Sequence, residues 1–243
     1  MDARYWVDID WAKLPAGTST GEISVQGKLP TIKIKVVANK ASVEQAVAAQ
    51  GRFASLDGPT AITATGTTRR TEVGGVRWEE VPDYGRVTAA LAIYTVTSAS
   101  ILPPESAPTL EYPVYLPREG NFDVTLILGP VMDFVPARGM RIAAAFDDQP
   151  AQVLDIFANR AAESFLGRSW SAHAARDNAR YLRSSLHVVA AGSHVLKISM
   201  VDPGIVLEKI IINDRPLPER YFGPPAQDAF GADVPVPPMK RSD

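Results

Sequence analysis

Three pairs of acidic residues are the first candidates for chemistry in this 243-residue sequence: Glu79 with Glu80, Asp147 with Asp148, and Asp202 with Glu208. Two carboxylates facing each other can serve as general acid and general base in a hydrolysis. Spacing counts against each pair. Adjacent residues of an extended strand point to opposite faces, so Glu79 and Glu80 cannot face each other if their segment is a strand. Asp147-Asp148-Gln149-Pro150 reads as a turn, in which aspartate side chains bond nearby backbone N–H groups. Asp202 opens Asp202-Pro203-Gly204, where proline fixes φ and glycine permits φ above zero. It is expected to cap a tight hairpin turn that closes a core.

The other reactive side chains are scattered. His173 falls on a candidate helix, His187 starts a candidate strand and His194 follows a Gly-Ser turn. No two have the spacing of a helical zinc site, so surface or turn-bonded histidines are expected. Gly17-Thr18-Ser19-Thr20-Gly21 has the Gly-x-Ser-x-Gly spacing, but it lies between two candidate strands and not on the strand-to-helix turn that a serine nucleophile of this kind needs. "GEISVQGK" and "TEVGGVRW" lack the glycine spacing and the Lys-Ser/Thr of a phosphate loop. With no cysteine, disulfides, thiol nucleophiles and thiolate metal sites are excluded.

The elements that would position these residues read as strands from end to end. "RYWVDIDW", "GEISVQG" and "TIKIKVVA" alternate apolar and polar residues, with "LPAGTSTG" a turn between the first two. "LEYPVYL", "NFDVTLILG", "MRIAAAF", "QVLDIF", "LHVVAA", "HVLKISMV" and "IVLEKIIIN" follow, separated by turn residues. The alanine-rich segment 41–58 reads as a linker or short helix, and Ser169 to Arg183 as a helix. The proline-rich tail reads as a disordered end or linker. Many short strands between Gly and Pro turns point to an all-β sandwich. Three strands in the first forty residues bury too little to stand alone, so they need partners elsewhere.

Composition agrees with a packed globular chain. Hydrophobic residues make up 46% and the formal net charge is −2, which supplies no field for nucleic acid or anionic lipid. No apolar run is long enough to span a membrane, and "MDARYWVDID" has no signal-peptide pattern.

Long gapped motifs then carry a resemblance. "GVRWEEVPDYGR" (75–86), "LEYPVYLPREGNFDVTLILGPVMDF" (110–134), "MRIAAAFDDQP" (140–150) and "GSHVLKISMVDPGIVLEKIIIND" (192–214) resemble the C-terminal region of glycoside hydrolase family 115. "YFGPP" (221–225) is similar to the closing motif of that region. "RYWVDIDWAKLPAGTSTGEISVQG" (4–27) resembles the second half of a small immunoglobulin-like unit preceding it. The family comprises α-glucuronidases that act on glucuronoxylan. The resemblance implies a partial immunoglobulin-like β unit at 1–40, a linker at 41–58, a jelly-roll-like, galactose-binding-like sandwich at 59–225 and a tail at 226–243.

It also implies that catalysis lies in an upstream barrel domain, leaving this chain no catalytic residues of its own. The expected role is an accessory domain that packs on the catalytic body or shapes a dimer. The alternative is a carbohydrate-binding module that tethers the parent enzyme to xylan. Sugar binding would use exposed ring faces and planar polar groups, for which Trp78, Tyr84, Arg86 and Trp170 are the candidates. Where the family carries an acidic segment at the start of the sandwich, this sequence has "ITATG", with Thr63 and Thr65 in place of carboxylates. Neutral hydroxyls are poor calcium ligands, so no metal or other cofactor is expected. The expected partners are the upstream catalytic domains, xylan-type polysaccharide and a second copy of the chain, with neither nucleic acid nor membrane among them. A secreted or periplasmic parent enzyme is implied.

Overall fold

The computed structural model describes residues 8–10, 13–26, 30–55, 58–84, 87–129, 131, 135, 138–156, 181–215, 217 and 223–227. The chain divides into two compact units, Met1–Ala48 and Ala49–Asp243.

In the first unit, β1 (Gly17–Val25) and β2 (Ile32–Lys40) form an antiparallel hairpin, with Ile23 opposite Ile34 and Val25 opposite Ile32. Period-two alternation puts these four on one face, yet Ile32 remains 59% exposed. A pair of strands with such a face is marginal by itself. Residues 17–20, expected as turn, are already strand. Most of the expected strand "RYWVDIDW" lies outside the described residues, and its described part, 8–10, is not strand. A short helix follows, α1 (Val43–Ala49). Its start is a reciprocal cap: Gln45 N–H donates to Ser42 Oγ (3.2 Å) and Ser42 N–H donates to Gln45 Oε1 (3.1 Å).

The second unit is an all-β sandwich of two six-stranded sheets. One sheet runs β11 (Gln152–Asp155), β10 (Arg141–Phe146), β13 (Gly192–Met200), β8 (Thr109–Leu116), with short β3 (Phe53–Ala54) and β5 (Arg69–Arg70) both paired to β8. The other runs β12 (Tyr181–Val189), β9 (Gly120–Leu128), β14 (Val206–Asn213), β7 (Ala89–Tyr94), β6 (Arg77–Pro82), with β4 (Thr60–Thr63) also paired to β14. Pairing is antiparallel throughout, except that β3 runs parallel to β8.

Alternation supplies the core. Leu110, Tyr112, Val114 and Leu116 of β8 point inward, as do Phe122, Val124, Leu126 and Leu128 of β9 and Leu196, Ile198 and Met200 of β13. Each such side chain contributes about 1.5–3 kcal/mol when fully buried. Tyr112 keeps its hydroxyl satisfied by donating to Ala64 O at 2.7 Å, in a 3-10 turn over Ala64–Gly66. Gly66 permits that turn to close on Phe53, because a Cβ there would stand 2.9 Å from the ring.

Three local expectations are corrected. Phe53 and Ala54, inside the expected linker, are a buried sheet strand, because Phe53 is apolar enough to join the core. Residues 181–183, expected to end a helix, begin β12 in register with β9; sheet pairing overrides their helix propensity. Asp202-Pro203-Gly204 is not a hairpin turn: β13 pairs with β10 and β8, whereas β14 pairs with β9, β7 and β4. The tripeptide is therefore a corner between the two sheets, with Gly204 at φ 90°.

The core of the larger unit runs from Phe53 to Ile212. Removing residues 1–40 should leave residues 41–243 with a cooperative thermal transition within a few degrees of that of the full chain. Loss of the cooperative transition would show that the hairpin belongs to the sandwich core.

Candidate functional site

The Asp202 side chain has no solvent-exposed surface. Its Oδ2 accepts from the Arg141 backbone N–H (2.8 Å) and from Arg141 Nε (2.7 Å), and its Oδ1 accepts from Arg141 Nη2 (3.1 Å) and from the Ser100 hydroxyl. Arg138 Nε stands 3.7 Å from Oδ1. Burial opposes ionisation of this carboxyl. The hydrogen bonds from Arg141 and Ser100, with the charge of Arg141, outweigh burial and hold its pKa below the ordinary 3.8. Asp202 thus does not cap its own turn, and no substrate can reach it.

The other carboxylates of the three candidate pairs have separate surroundings. Glu79 pairs with Arg77 and Glu80 with Arg70, from opposite faces of β6. Asp147 holds φ at 51° in the turn after β10 and reaches across to β13. There it accepts the Val195 N–H (2.8 Å) and lies 2.7 Å from His194 Nδ1. Asp148 lies 3.1 Å from Lys197 Nζ. Glu208 is buried at the bulge between Leu207 and Lys209.

Of the histidines, His194 is turn-bonded, with Nε2 3.0 Å from Ala190 O. His187 is corrected from surface to core. It is buried, meets Phe146 edge-on at 5.4 Å, and has Ser185 Oγ at 2.8 Å and Gln152 Nε2 at 3.3 Å. Burial pushes its pKa down, which favours the neutral ring. His173 lies outside the described residues. Thr63 and Thr65 bring only two hydroxyls together, 3.5 Å apart. Among the described residues no group of three His, Asp or Glu side chains is placed to hold a metal ion.

The four sugar-binding candidates are not brought together as a platform. Trp78 is 3% exposed and donates its indole N–H to Pro108 O at 3.1 Å, so its ring is core packing and offers no face to a glycan. Tyr84 is half-buried, its ring packed so closely on Gly129 that a Cβ there would approach within 2.6 Å. Burial, and then the negative charge of Glu208, raise its phenol pKa. Arg86 and Trp170 lie outside the described residues. What the sequence did not flag is the set of partners around Asp202. Arg141, a lone cation opening an otherwise apolar strand, was the available signal.

Comparison with known proteins settles the lineage. The profile of the glycosyl hydrolase family 115 C-terminal domain matches residues 52–226. The chain belongs to that family. No curated protein matches it. Among solved structures, the family 115 4-O-methyl-α-glucuronidase BtGH115A, with specificity for decorated arabinogalactans, is 14% identical with a TM-score of 0.46. The alignment covers 74% of this chain and 20% of that enzyme, so this chain spans about a fifth of its length. The C-terminal family 6 carbohydrate-binding module of a Zobellia galactanivorans laminarinase is 12% identical (TM-score 0.41), over 63% of this chain and 98% of the module. A family 35 module from Clostridium thermocellum is 10% identical (TM-score 0.41), over 67% and 100%.

In this family 115 domain, Asp202→Asn should cost about 3 kcal/mol at pH 7, because it leaves the Arg141 guanidinium facing a neutral amide. The acid limb should flatten as well. The folded carboxyl titrates below 3.8, so the unfolded chain takes up the proton first. The stabilisation is complete above that value and is lost as pH falls through the folded pKa; the asparagine variant lacks this loss. Urea unfolding from pH 7 down to pH 3 measures both, and equal midpoints at pH 7 would contradict the reading.

Proposed function

We propose that this chain is a non-catalytic C-terminal accessory domain of a family 115 α-glucuronidase acting on glucuronoxylan outside the cytoplasm. Its main role is structural: it packs on the catalytic body or forms a dimer contact. The observation that carries the reading is the commitment of the carboxylates within a chain of this family. Glycoside hydrolysis needs two carboxyl groups open to the sugar. Here Asp202 is sealed, Asp147 is tied to β13, and Glu79 and Glu80 diverge. The second reading, a module tethering the parent enzyme to xylan, rests on the half-exposed Tyr84 with Arg86 and Trp170. The burial of Trp78 removes one of its four rings and polar groups.

The purified chain should release no glucuronic acid from glucuronoxylan above a mock preparation; release that tracks the protein would overturn the non-catalytic reading. In the parent enzyme, deleting this domain should lower the melting temperature of the remainder. An unchanged melting temperature, with activity lost only on insoluble xylan, would favour tethering.

A further inference from the structure

The outward face of the β10–β13–β8 sheet carries a cavity of about 720 Å³, unrelated to the aromatic candidates and to the Asp202 cluster. That volume falls in the ~300–1,000 Å³ range of small-ligand sites. Its floor follows from strand register. Ala145, Lys197 and Glu111 lie side by side on three adjacent strands, and Ser199 lies beside Thr109 in the next outward row. The turn after β10, with Asp147 and Asp148, forms one wall, and the 3-10 turn with Glu105 forms another.

The lining selects by charge and by hydrogen-bond type. Its hydroxyls are already used: Thr109 Oγ1 lies 2.8 Å from Ser199 Oγ and donates to Ala107 O at 2.9 Å. What stays open is mainly acceptor capacity. Glu111 meets Arg69 through a single oxygen, at 3.2 Å, and the fully exposed Asp148 meets Lys197 at 3.1 Å. Carboxylates outnumber the one lysine, which disfavours an anionic ligand. Lys197, in the middle of the floor, disfavours an ammonium. A donor-rich, uncharged ligand satisfies both constraints, and the small Ala145 side chain lets it approach the sheet. No aromatic ring lines the cavity among the described residues, so ring stacking does not add to affinity.

We propose that this cavity is a binding site for a neutral glycosyl unit, whose hydroxyls donate to Glu111 and Asp148 and accept from Lys197, and that it excludes uronic acids. The site goes beyond the structural role proposed above and depends on neither a packing nor a tethering function.

Saturation-transfer NMR on the full 243-residue protein tests it, with xylobiose, arabinose, galactose and glucose as neutral probes and glucuronate and glucosamine as charged ones. At least one neutral sugar should receive saturation at millimolar concentration, and both charged sugars should receive less. Lys197→Ala and, separately, the exposed change Asp148→Ala should each weaken the neutral sugar by about tenfold, the effect of losing a charge-assisted hydrogen bond. Both variants should melt like the parent protein. Transfer to none of the neutral sugars would overturn the proposal, as would glucuronate or glucosamine binding as well as they do. Unchanged binding in both variants would overturn it too.

Discussion

The Asp202 carboxylate, fully withdrawn from water, is the point on which the two sheets are joined. Three connections pass from one sheet to the other near it: β7 to β8 through Ser100, β9 to β10 through Arg138 and Arg141, and β13 to β14 through Asp202 itself. A carboxylate in such a place costs several kcal/mol in lost hydration unless its oxygens are saturated. Both oxygens are saturated, by groups drawn from different connections. Hydrophobic burial supplies the bulk of the stability. The charge cluster instead specifies how the corners meet, since a shifted corner would strand a buried ion.

The same economy of polar groups extends to the other carboxylates that the sequence offers as candidates. Each has a partner within the domain: Asp147 a β13 amide and His194, Glu79 and Glu80 surface arginines. Trp78 likewise turns its ring inward and its N–H to Pro108 O. The outward sheet face is different. There Lys197 and Glu111 sit in register with a small alanine, leaving polar groups of both signs over a concave floor.

Much of the fold was legible in the sequence, and its limits have physical causes. β8 alternates along most of its length, as does the first part of β9, because one face is core and the other is not, so period two appears in the residues themselves. β7, "AALAIY", was not anticipated: alanines stand on both of its faces, so no alternation in the sequence marks the buried side from the other. The cap of α1 was present as Ser42-x-x-Gln45, although seven residues of helix give little periodicity to confirm it. Asp-Pro-Gly announces a turn but not which strands it joins. Hairpin and inter-sheet corner share the local chemistry, and only long-range pairing distinguishes them. The partners of Asp202 lie 61 and 102 residues away, beyond any local pattern. The Glu111–Lys197 floor is hidden for the same reason, since it exists only once β8 and β13 are in register.

The central claim is that the buried Asp202 carboxylate holds the corners of the fold together through Arg141. A double-mutant cycle between Asp202→Asn and Arg141→Met tests it most directly, with unfolding free energies from urea titration at pH 7. The predicted coupling is roughly 2 kcal/mol or more, because Asp202→Asn strands the Arg141 guanidinium and Arg141→Met strands the Asp202 carboxylate, whereas the double change leaves neither. Additivity within about 0.5 kcal/mol would contradict the account and return Asp202 to the candidates for another role.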